Sequence, residues 1–178
     1  MSEVCANLKA GLTLEIGVGT GNLTDKLIDS GASVIGVEPS TEMRKLATKK
    51  NSDLKIYNGH FLNISSTLTI KFDNIVSSYA FHHLTLSEKR QAIQYLKRHL
   101  NPGGRIVIAD TMFESAKYKK ELYSSVKKNG QFNLLEDLNS EYYELLESVT
   151  SIFEDFNFQF NTKKMNEFVW VITAQRRD

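Results

Sequence analysis

Three stretches of this 178-residue chain are apolar at consecutive positions and do not alternate with polar residues. They read VIGV, NIVSS and RIVIA, and they lie in the predicted strands 33–38, 72–78 and 105–110. Apolar side chains on both faces of a strand are typical of a parallel sheet that helices cover on both sides. Two further strands are predicted at 12–17 and, shorter, at 53–58. The pattern therefore predicts an α/β fold.

Between these strands, apolar residues recur at helical spacing. Helices are predicted at 22–30, at 41–50 behind a capping serine, and after a capping box at 85–88. In the second helix, the side chains expected to face the core are Met43, Leu46 and Ala47. The sequence NPGG at 101–104 is expected to break the third helix before the next strand.

The second half of the chain has a different character. Residues 116–148 are polar and rich in tyrosine, and they are predicted to be helical with an interruption at Asn129-Gly130. Two final strands, joined by a turn at 162–166, are predicted from alternating positions that are mostly aromatic, namely Phe158, Phe160, Phe168, Trp170 and Ile172. We find no linker and no low-complexity segment, so the sequence predicts a single domain over 1–178.

The most informative motif is a glycine-rich turn between the first predicted strand and the first helix. Residues 14–24 read LEIGVGTGNLT, in the pattern E-x-G-x-G-x-G that starts at Glu15. Glycine lets a ligand approach the backbone closely because it has no side chain. Glu38 ends the second predicted strand, where a carboxylate can accept hydrogen bonds from two ribose hydroxyls. The two features together predict a site for a nucleoside-containing cofactor.

Two cofactors and one simpler explanation fit this motif. The dinucleotide pattern G-x-G-x-x-G places its third glycine where this chain has Asn22, which disfavours NAD. S-adenosylmethionine (SAM) has no phosphate, and a carboxylate such as that of Glu15 would suit its cationic end. The simpler explanation is a tight strand-to-helix turn with surface acids, and the presence of Glu38 makes it less attractive.

Four segments in order resemble the signature segments of class I SAM-dependent methyltransferases. They read LEIGVGTGNLT, VIGVEPS, FDNIVSSYAFHHLT and LNPGGRIVIAD. Within that class the chain is similar to the small YrrT-like bacterial methyltransferases, which also carry segments similar to IADTMF, EYY and MNEFVW. The resemblance runs from about residue 12 to the C-terminus. It implies a Rossmann-like, doubly wound sheet of seven strands in the order 3-2-1-4-5-7-6, with only strand 7 antiparallel.

The resemblance also assigns cofactor-binding residues. The loop glycines would lie under the methionine part of SAM with Glu15 in support, Glu38 would bind the ribose, and Pro39 would pack near the adenine. The loop glycines are Gly17, Gly19 and Gly21. Ser78 and Tyr79 follow the fourth strand, where the amino-acid end of SAM usually meets backbone groups.

One position departs from the pattern of the resembled proteins. His60 and Phe61 stand where those proteins carry Asp-Phe, whose aspartate accepts a hydrogen bond from the adenine amino group. A neutral imidazole can accept one hydrogen bond, so His60 is expected to preserve an adenine contact.

Two adjacent histidines follow the fourth predicted strand, next to the expected position of the methyl group. Histidine titrates near neutral pH, so His82 or His83 could act as the base, with His82 preferred. An equally favoured alternative to the base role is that one ring packs against the neighbouring helix and the other caps it or faces solvent. Because adjacent residues rarely converge on one ion without further ligands, no metal is expected.

The acceptor of the methyl group is expected to be a small molecule of unidentified structure. The turn after the fourth strand reads SSYA and lacks the Asn/Asp-Pro-Pro-Tyr sequence of enzymes that methylate amino groups of adenine and glutamine. It also lacks the acidic ligands that metal-dependent catechol methylation requires. Two alternatives stay open: a SAM-binding or SAM-sensing protein without catalysis and, less favoured, an NAD-binding oxidoreductase.

Composition limits the possible partners and compartment. The formal charge is +1, with 22 basic and 21 acidic residues, so no overall field attracts nucleic acid or an anionic membrane. No apolar run approaches membrane-spanning length, and no signal peptide is recognisable. Cys5 is the single cysteine, which favours a reducing compartment, and a cytoplasmic location is predicted. The oligomeric state is left open.

The segment before the glycine loop is short. Related proteins carry a longer helical segment there, which helps to close the cofactor pocket, whereas about a dozen residues precede the loop here. The chain is therefore expected to lack an N-terminal helical cover. We expect it to bind the cofactor but to catalyse methyl transfer poorly. Residues 116–148 are the alternative cover.

Overall fold

The computed structural model describes residues 1–177, which form one seven-stranded sheet with helices on both faces. The strand order is β3-β2-β1-β4-β5-β7-β6, and β7 runs antiparallel to both of its neighbours. The predicted sheet order and the predicted direction of strand 7 are confirmed. The strands are β1 (Leu12–Ile16), β2 (Ser33–Val37), β3 (Lys55–Tyr57), β4 (Phe72–Ser78), β5 (Leu100–Thr111), β6 (Phe158–Lys164) and β7 (Val169–Arg176).

Within these 177 residues the structure also contains seven helices and one 3₁₀ turn, Phe81–His83. In chain order the helices are α1 (Ser2–Ala6), α2 (Asn22–Asp29), α3 (Thr41–Lys50), α4 (Leu86–Arg98), α5 (Ala116–Lys128), α6 (Phe132–Ser140) and α7 (Leu146–Asp155).

The unbroken apolar runs arise, as expected, because both faces of the central strands are buried. In β4, Ile75 packs into a core that includes residues of α4 and α7, whereas its neighbour Val76 packs into a core on the opposite face with residues of α1 and α2. Successive side chains of a strand point to opposite faces, so a doubly covered strand must be apolar at every position.

The topology determines where a ligand can bind. The chain builds the sheet from β1 towards β3 in one direction and then returns to place β4 and β5 on the other side of β1. The strand order therefore reverses between β1 and β4, and at such a point the loops at the carboxyl ends of parallel strands diverge and leave a crevice.

Several predicted boundaries were wrong. In α3 only Ala47 is buried, while Met43 and Leu46 are 39% and 49% exposed, because this helix covers the narrow edge of the sheet beside the three-residue strand β3. The NPGG sequence does not take the chain out of the sheet. It forms a bulge within β5, where the pairing with β4 shifts by several residues.

The C-terminal half also differs from the prediction. The interruption at Asn129-Gly130 is confirmed, but the helical region does not continue to residue 148. Residues 141–145 form a non-helical segment, and a separate helix, α7, extends seven residues further to Asp155. The last turn lies at 165–168, because β6 continues to Lys164 before the chain reverses.

None of the helices within residues 1–177 combines the length and the apolar character that crossing a membrane requires.

Candidate active site

The glycine loop leaves the end of β1 and curves around the crevice. Gly17 has φ of 76°, and a Cβ placed there would lie 2.6 Å from the Cβ of Ala80, so the end of β1 can approach the loop after β4 only without a side chain. Gly19 has φ of 54°, and a Cβ there would meet nothing within 4 Å. The loop is therefore closely packed on one side of the crevice and open on the other.

Glu38 lies directly after β2 and its carboxylate is held by the loop. Its Oε2 accepts from the backbone N–H of Gly19 at 3.0 Å, and its Oε1 accepts from the N–H of Ser40 at 2.9 Å. Although the residue is only 7% exposed, it lines the crevice. Each carboxylate oxygen has a second lone pair, so the group can still accept from two ligand hydroxyls.

The crevice is a cavity of about 450 Å³, within the range of small-ligand sites. Eight of the residues predicted for the site line it: Gly17, Gly19, Glu38, Pro39, His60, Phe61, Tyr79 and His83. Ile16, Ala80 and Leu84 add apolar surface. Four predicted residues do not line it: Glu15, Gly21, Ser78 and His82.

Glu15 lies beneath the loop and does not face a ligand. Its side chain is 1% exposed and accepts from the hydroxyl of Thr24 at 2.6 Å, which ties β1 to α2. Burial raises the pKa of Glu15 to about 8, and the hydrogen bond from Thr24 only partly opposes this. The contact with Thr24 is a structural one under the loop, and a role of Glu15 in cofactor binding stays a prediction.

His60 lines the cavity, but its ring offers a hydrogen-bond donor where an acceptor was expected. Its Nδ1 accepts from the backbone N–H of Leu62 at 3.3 Å. A neutral imidazole has one acceptor and one donor nitrogen, so the proton lies on Nε2. The ring therefore offers a ligand a donor, whereas the replaced aspartate would offer an acceptor.

The end of β4 contains two unusual features. The hydroxyl of Ser78 is buried and has no hydrogen-bonding partner within the described residues. Tyr79 adopts a positive φ of 54°, which costs energy for any residue other than glycine and is typical of ligand sites. Its backbone N–H donates to Ala109 at 2.9 Å, so the strained turn is fixed to β5.

His82, the preferred base, is bonded to a buried aspartate at the end of β5. Its Nδ1 lies 2.7 Å from Oδ1 of Asp110, and its backbone N–H donates to Oδ2 at 2.9 Å. Burial alone would lower the pKa of His82, but the hydrogen bond and charge of Asp110, together with Glu141, outweigh burial and raise the pKa. The Asp110 contact favours a proton on Nδ1 and leaves Nε2 as the basic nitrogen.

His83 faces the cavity and pairs with a second carboxylate. Its Nδ1 lies 2.9 Å from Oε2 of Glu141, in the segment 141–145. Together with His82, these side chains place three metal-ligating groups within 4.8 Å of one another, yet both Nδ1 atoms are already engaged by carboxylates. The expectation that no metal binds stays a prediction.

The histidine partners were not predicted from the sequence. Asp110 is the last residue of the predicted strand 105–110, a position at which a side chain can reach the crevice. Glu141 had no such signal, because it lies 58 residues from His83 in a segment that was predicted to be helical.

Comparison with known proteins identifies the family. The methyltransferase-domain family matches residues 14–106, more than half of the chain. An uncharacterized methyltransferase of Alkaliphilus oremlandii is 55% identical over 168 residues, covering 94% of this chain and 77% of the relative. The uncharacterized methyltransferase YrrT of Halobacillus halophilus is 41% identical over 176 residues, covering 99% of this chain and 82% of YrrT.

A solved structure shares the fold. The magnesium protoporphyrin IX methyltransferase of Synechocystis, solved with bound SAM, superposes with a TM-score of 0.67, covering 98% of this chain and 74% of that protein at 17% identity. The chain therefore belongs to the methyltransferase-domain family and is a class I SAM-dependent methyltransferase. More specifically, it is a YrrT-like methyltransferase, and SAM is its cofactor.

Proposed function

We propose that the chain transfers the methyl group of SAM to a nucleophilic atom of a small molecule that enters beside His83. The observation that carries this proposal is the juxtaposition in one cavity of the glycine loop, Glu38 and a histidine with a carboxylate partner. The bound cofactor supplies a methyl group already activated by a positively charged sulfur. The protein must therefore supply position, exclusion of water and a route for the acceptor's proton.

The residues that line the cavity can be matched to the successive parts of SAM. Glu38 has free lone pairs for the ribose hydroxyls, and the open side of the loop at Gly19 leaves room for the ligand. His60 and Phe61 form the adenine end, and Tyr79, after β4, lies at the amino-acid end. An apolar wall from Ile16, Ala80 and Leu84 would limit the access of water to the sulfonium.

The geometry favours His83 over His82 as the base. His83 lines the cavity and is 59% exposed at its side chain, whereas the side chain of His82 is 12% exposed and lies behind it. With Nδ1 directed to Glu141, Nε2 of His83 is free to take the acceptor's proton, and the carboxylate would stabilise the imidazolium. His82 and Asp110 would then hold the turn in place.

Two other predictions from the sequence stay proposals. A single catalytic domain over 1–178 is compatible with one continuous sheet. A cytoplasmic location rests on the single cysteine, which leaves no partner for an internal disulfide.

The experiment has two stages. Calorimetry should detect binding of SAM and S-adenosylhomocysteine, and NAD should not bind. Glu38→Ala should weaken SAM binding by about 1.5–3 kcal/mol, because two hydroxyl–carboxylate hydrogen bonds are lost. Glu42→Ala, an exposed acid at the start of α3, is the matched control. Equal affinities of wild type and the Glu38 variant would contradict the cofactor placement.

The second stage separates an enzyme from a binding protein. Candidate small molecules should be screened for incorporation of label from methyl-labelled SAM, first with wild type and then with His83→Ala and His82→Ala. Loss of turnover in the His83 variant with unchanged SAM affinity is expected. Tight SAM binding without methyl transfer to any acceptor class would favour the sensing alternative.

A further inference from the structure

Methyl transfer does not by itself explain Lys89, a buried cation beside the acceptor end of the cavity. The residue lies in the first turn of α4 and is 2% exposed. Its Nζ donates to the backbone carbonyl of Leu84 and, at 2.9 Å, to that of Tyr142. Across residues 1–177, no ion pair joins this ammonium to a carboxylate. A buried charge is costly, so its contacts must offset a substantial loss of hydration.

The two carbonyls belong to the two pieces of chain that meet at His83, which lines the cavity. Leu84 lines the cavity and directly follows the turn that carries His82 and His83. Tyr142 follows Glu141, the partner of His83. A backbone hydrogen bond from Tyr142 N–H to the carbonyl of His82, 3.0 Å long, joins the same two pieces of chain. The ammonium therefore fastens the segment 141–145 to the histidine turn.

The ring of Phe81 completes the surroundings of the cation. It is fully buried beneath the histidine turn, and Nζ of Lys89 lies 5.6 Å from its centre. An ammonium over an aromatic face is stabilised by the ring quadrupole, most strongly when both are desolvated. The contact orients the lysine side chain towards the turn and away from solvent.

We propose that Lys89 is a positioning residue for methyl transfer, which holds Glu141 against His83 and places a positive charge beside the His82–Asp110 pair. This inference rests on the proposed function, because it takes the acceptor to enter beside His83. The charge is relevant because both histidines face carboxylates, and a nearby cation opposes their effect on protonation. Five ionisable groups surround His82: Asp110 of β5, Glu141 and Tyr143 of the segment 141–145, His83 of the turn and Lys89 of α4.

The chain offers a matched control on the same helix. Lys97 lies two turns further along α4, donates to the carbonyl of Phe156 at 2.6 Å and lies 5.7 Å from the centre of the Phe158 ring. It therefore makes the same two kinds of contact far from the cavity. Lys97→Met removes a partly buried lysine–carbonyl bond without touching the proposed clamp.

Amide hydrogen exchange tests the clamp. In Lys89→Met, exchange in the segment 141–145, including the Tyr142 amide, should become about tenfold faster or more, as expected for the loss of hydrogen bonds to a charged group. In Lys97→Met that segment should exchange at the wild-type rate. Equal exchange of the segment in the two variants would overturn the clamp.

NMR titration of the histidine ring signals tests the electrostatic part. Lys89 lowers the pKa of His82, so Lys89→Met should raise the pKa of His82, and Lys97→Met should leave it unchanged. Lys89→Gln removes the charge but keeps an N–H donor. It should raise the pKa of His82 in the same way, with a smaller increase in exchange. An unchanged His82 titration in both Lys89 variants would overturn the role in protonation.

These measurements need neither the acceptor nor turnover, so their failure is distinguishable from a failure of the proposed function. If Lys89→Met does not fold, Lys89→Gln alone decides between the outcomes above. Calorimetry with SAM on the wild type tests the function separately. Once an acceptor is known, Lys89→Gln should lower turnover without weakening SAM binding, whereas Lys97→Met should leave both unchanged.

Discussion

Glu15→Gln should remove much of the pH dependence of the free energy of unfolding between about pH 5 and 8. Glu15 is buried beneath the glycine loop, and burial raises its pKa to about 8 from the ordinary value of 4.5. Below the ordinary value the carboxyl is protonated in both the folded and the unfolded chain. Between the two values the unfolded chain loses the proton while the folded chain retains it. Stability therefore falls as the pH rises, and the loss levels off above the folded pKa.

The magnitude follows from the separation of the two pKa values. Each unit is worth about 1.4 kcal/mol, so the full loss approaches about 5 kcal/mol, of which about 2.5 kcal/mol falls between about pH 5 and 7. Glutamine cannot ionise, and its side-chain oxygen can still accept from the hydroxyl of Thr24. The variant should keep the contact that joins β1 to α2 and lose only the charging penalty.

Urea unfolding at several pH values measures the effect. The difference in unfolding free energy between Glu15→Gln and wild type should shift in favour of the variant by about 2.5 kcal/mol from about pH 5 to 7, with equal m-values. The comparison cancels other titrating groups, including His82, whose raised pKa also favours the folded state at low pH. Glu42→Gln, whose side chain is 76% exposed, is the control. Parallel pH profiles of wild type and Glu15→Gln would refute the argument.

Two further predictions concern the cofactor end. Gly17→Ala should weaken SAM binding about tenfold or more, because its Cβ would lie 2.6 Å from that of Ala80 at a φ of 76°. Gly31→Ala, at φ of 85° with open space around the Cβ, is the calorimetric control for backbone strain, and equal effects of the two would contradict the clash. His60→Asp should also weaken SAM binding, because it replaces the N–H that the ring offers a ligand with a carboxylate that can only accept. Tighter SAM binding by His60→Asp would show instead that the adenine donates a hydrogen bond at this position.

The sheet and the cofactor end could be predicted because their signals are local in the sequence. An unbroken apolar run identifies a doubly covered strand such as β2, and Glu38 directly follows it. The glycine loop is a continuous motif directly after β1. The strand order came only from resemblance, since apolar patterning does not specify which strands are neighbours. Exposure of Met43 and Leu46 shows another limit, because helical periodicity does not indicate how wide a surface the helix covers.

The acceptor end could not be predicted because its contacts are distant in sequence. Asp110 lies 28 residues from His82, Glu141 lies 58 residues from His83, and Tyr142 lies 53 residues from Lys89. A lysine in the first turn of an amphipathic helix is indistinguishable from a solvated one until the chain opposite it is placed. Its ammonium is bonded to Tyr142 of the segment 141–145 as well as to Leu84.

The two ends of the cavity therefore come from different parts of the chain. The region that matches the methyltransferase-domain family, 14–106, contains the glycine loop, Glu38, both histidines and Lys89. Asp110 and Glu141, the carboxylates that pair with those histidines, lie beyond it, and the segment 141–145 follows helices α5 and α6. A shared cofactor requires the same binding residues in every protein that uses it, whereas each acceptor requires its own cavity lining. Acceptor selectivity should consequently be determined by residues after 106, through the contacts that they impose on His82 and His83.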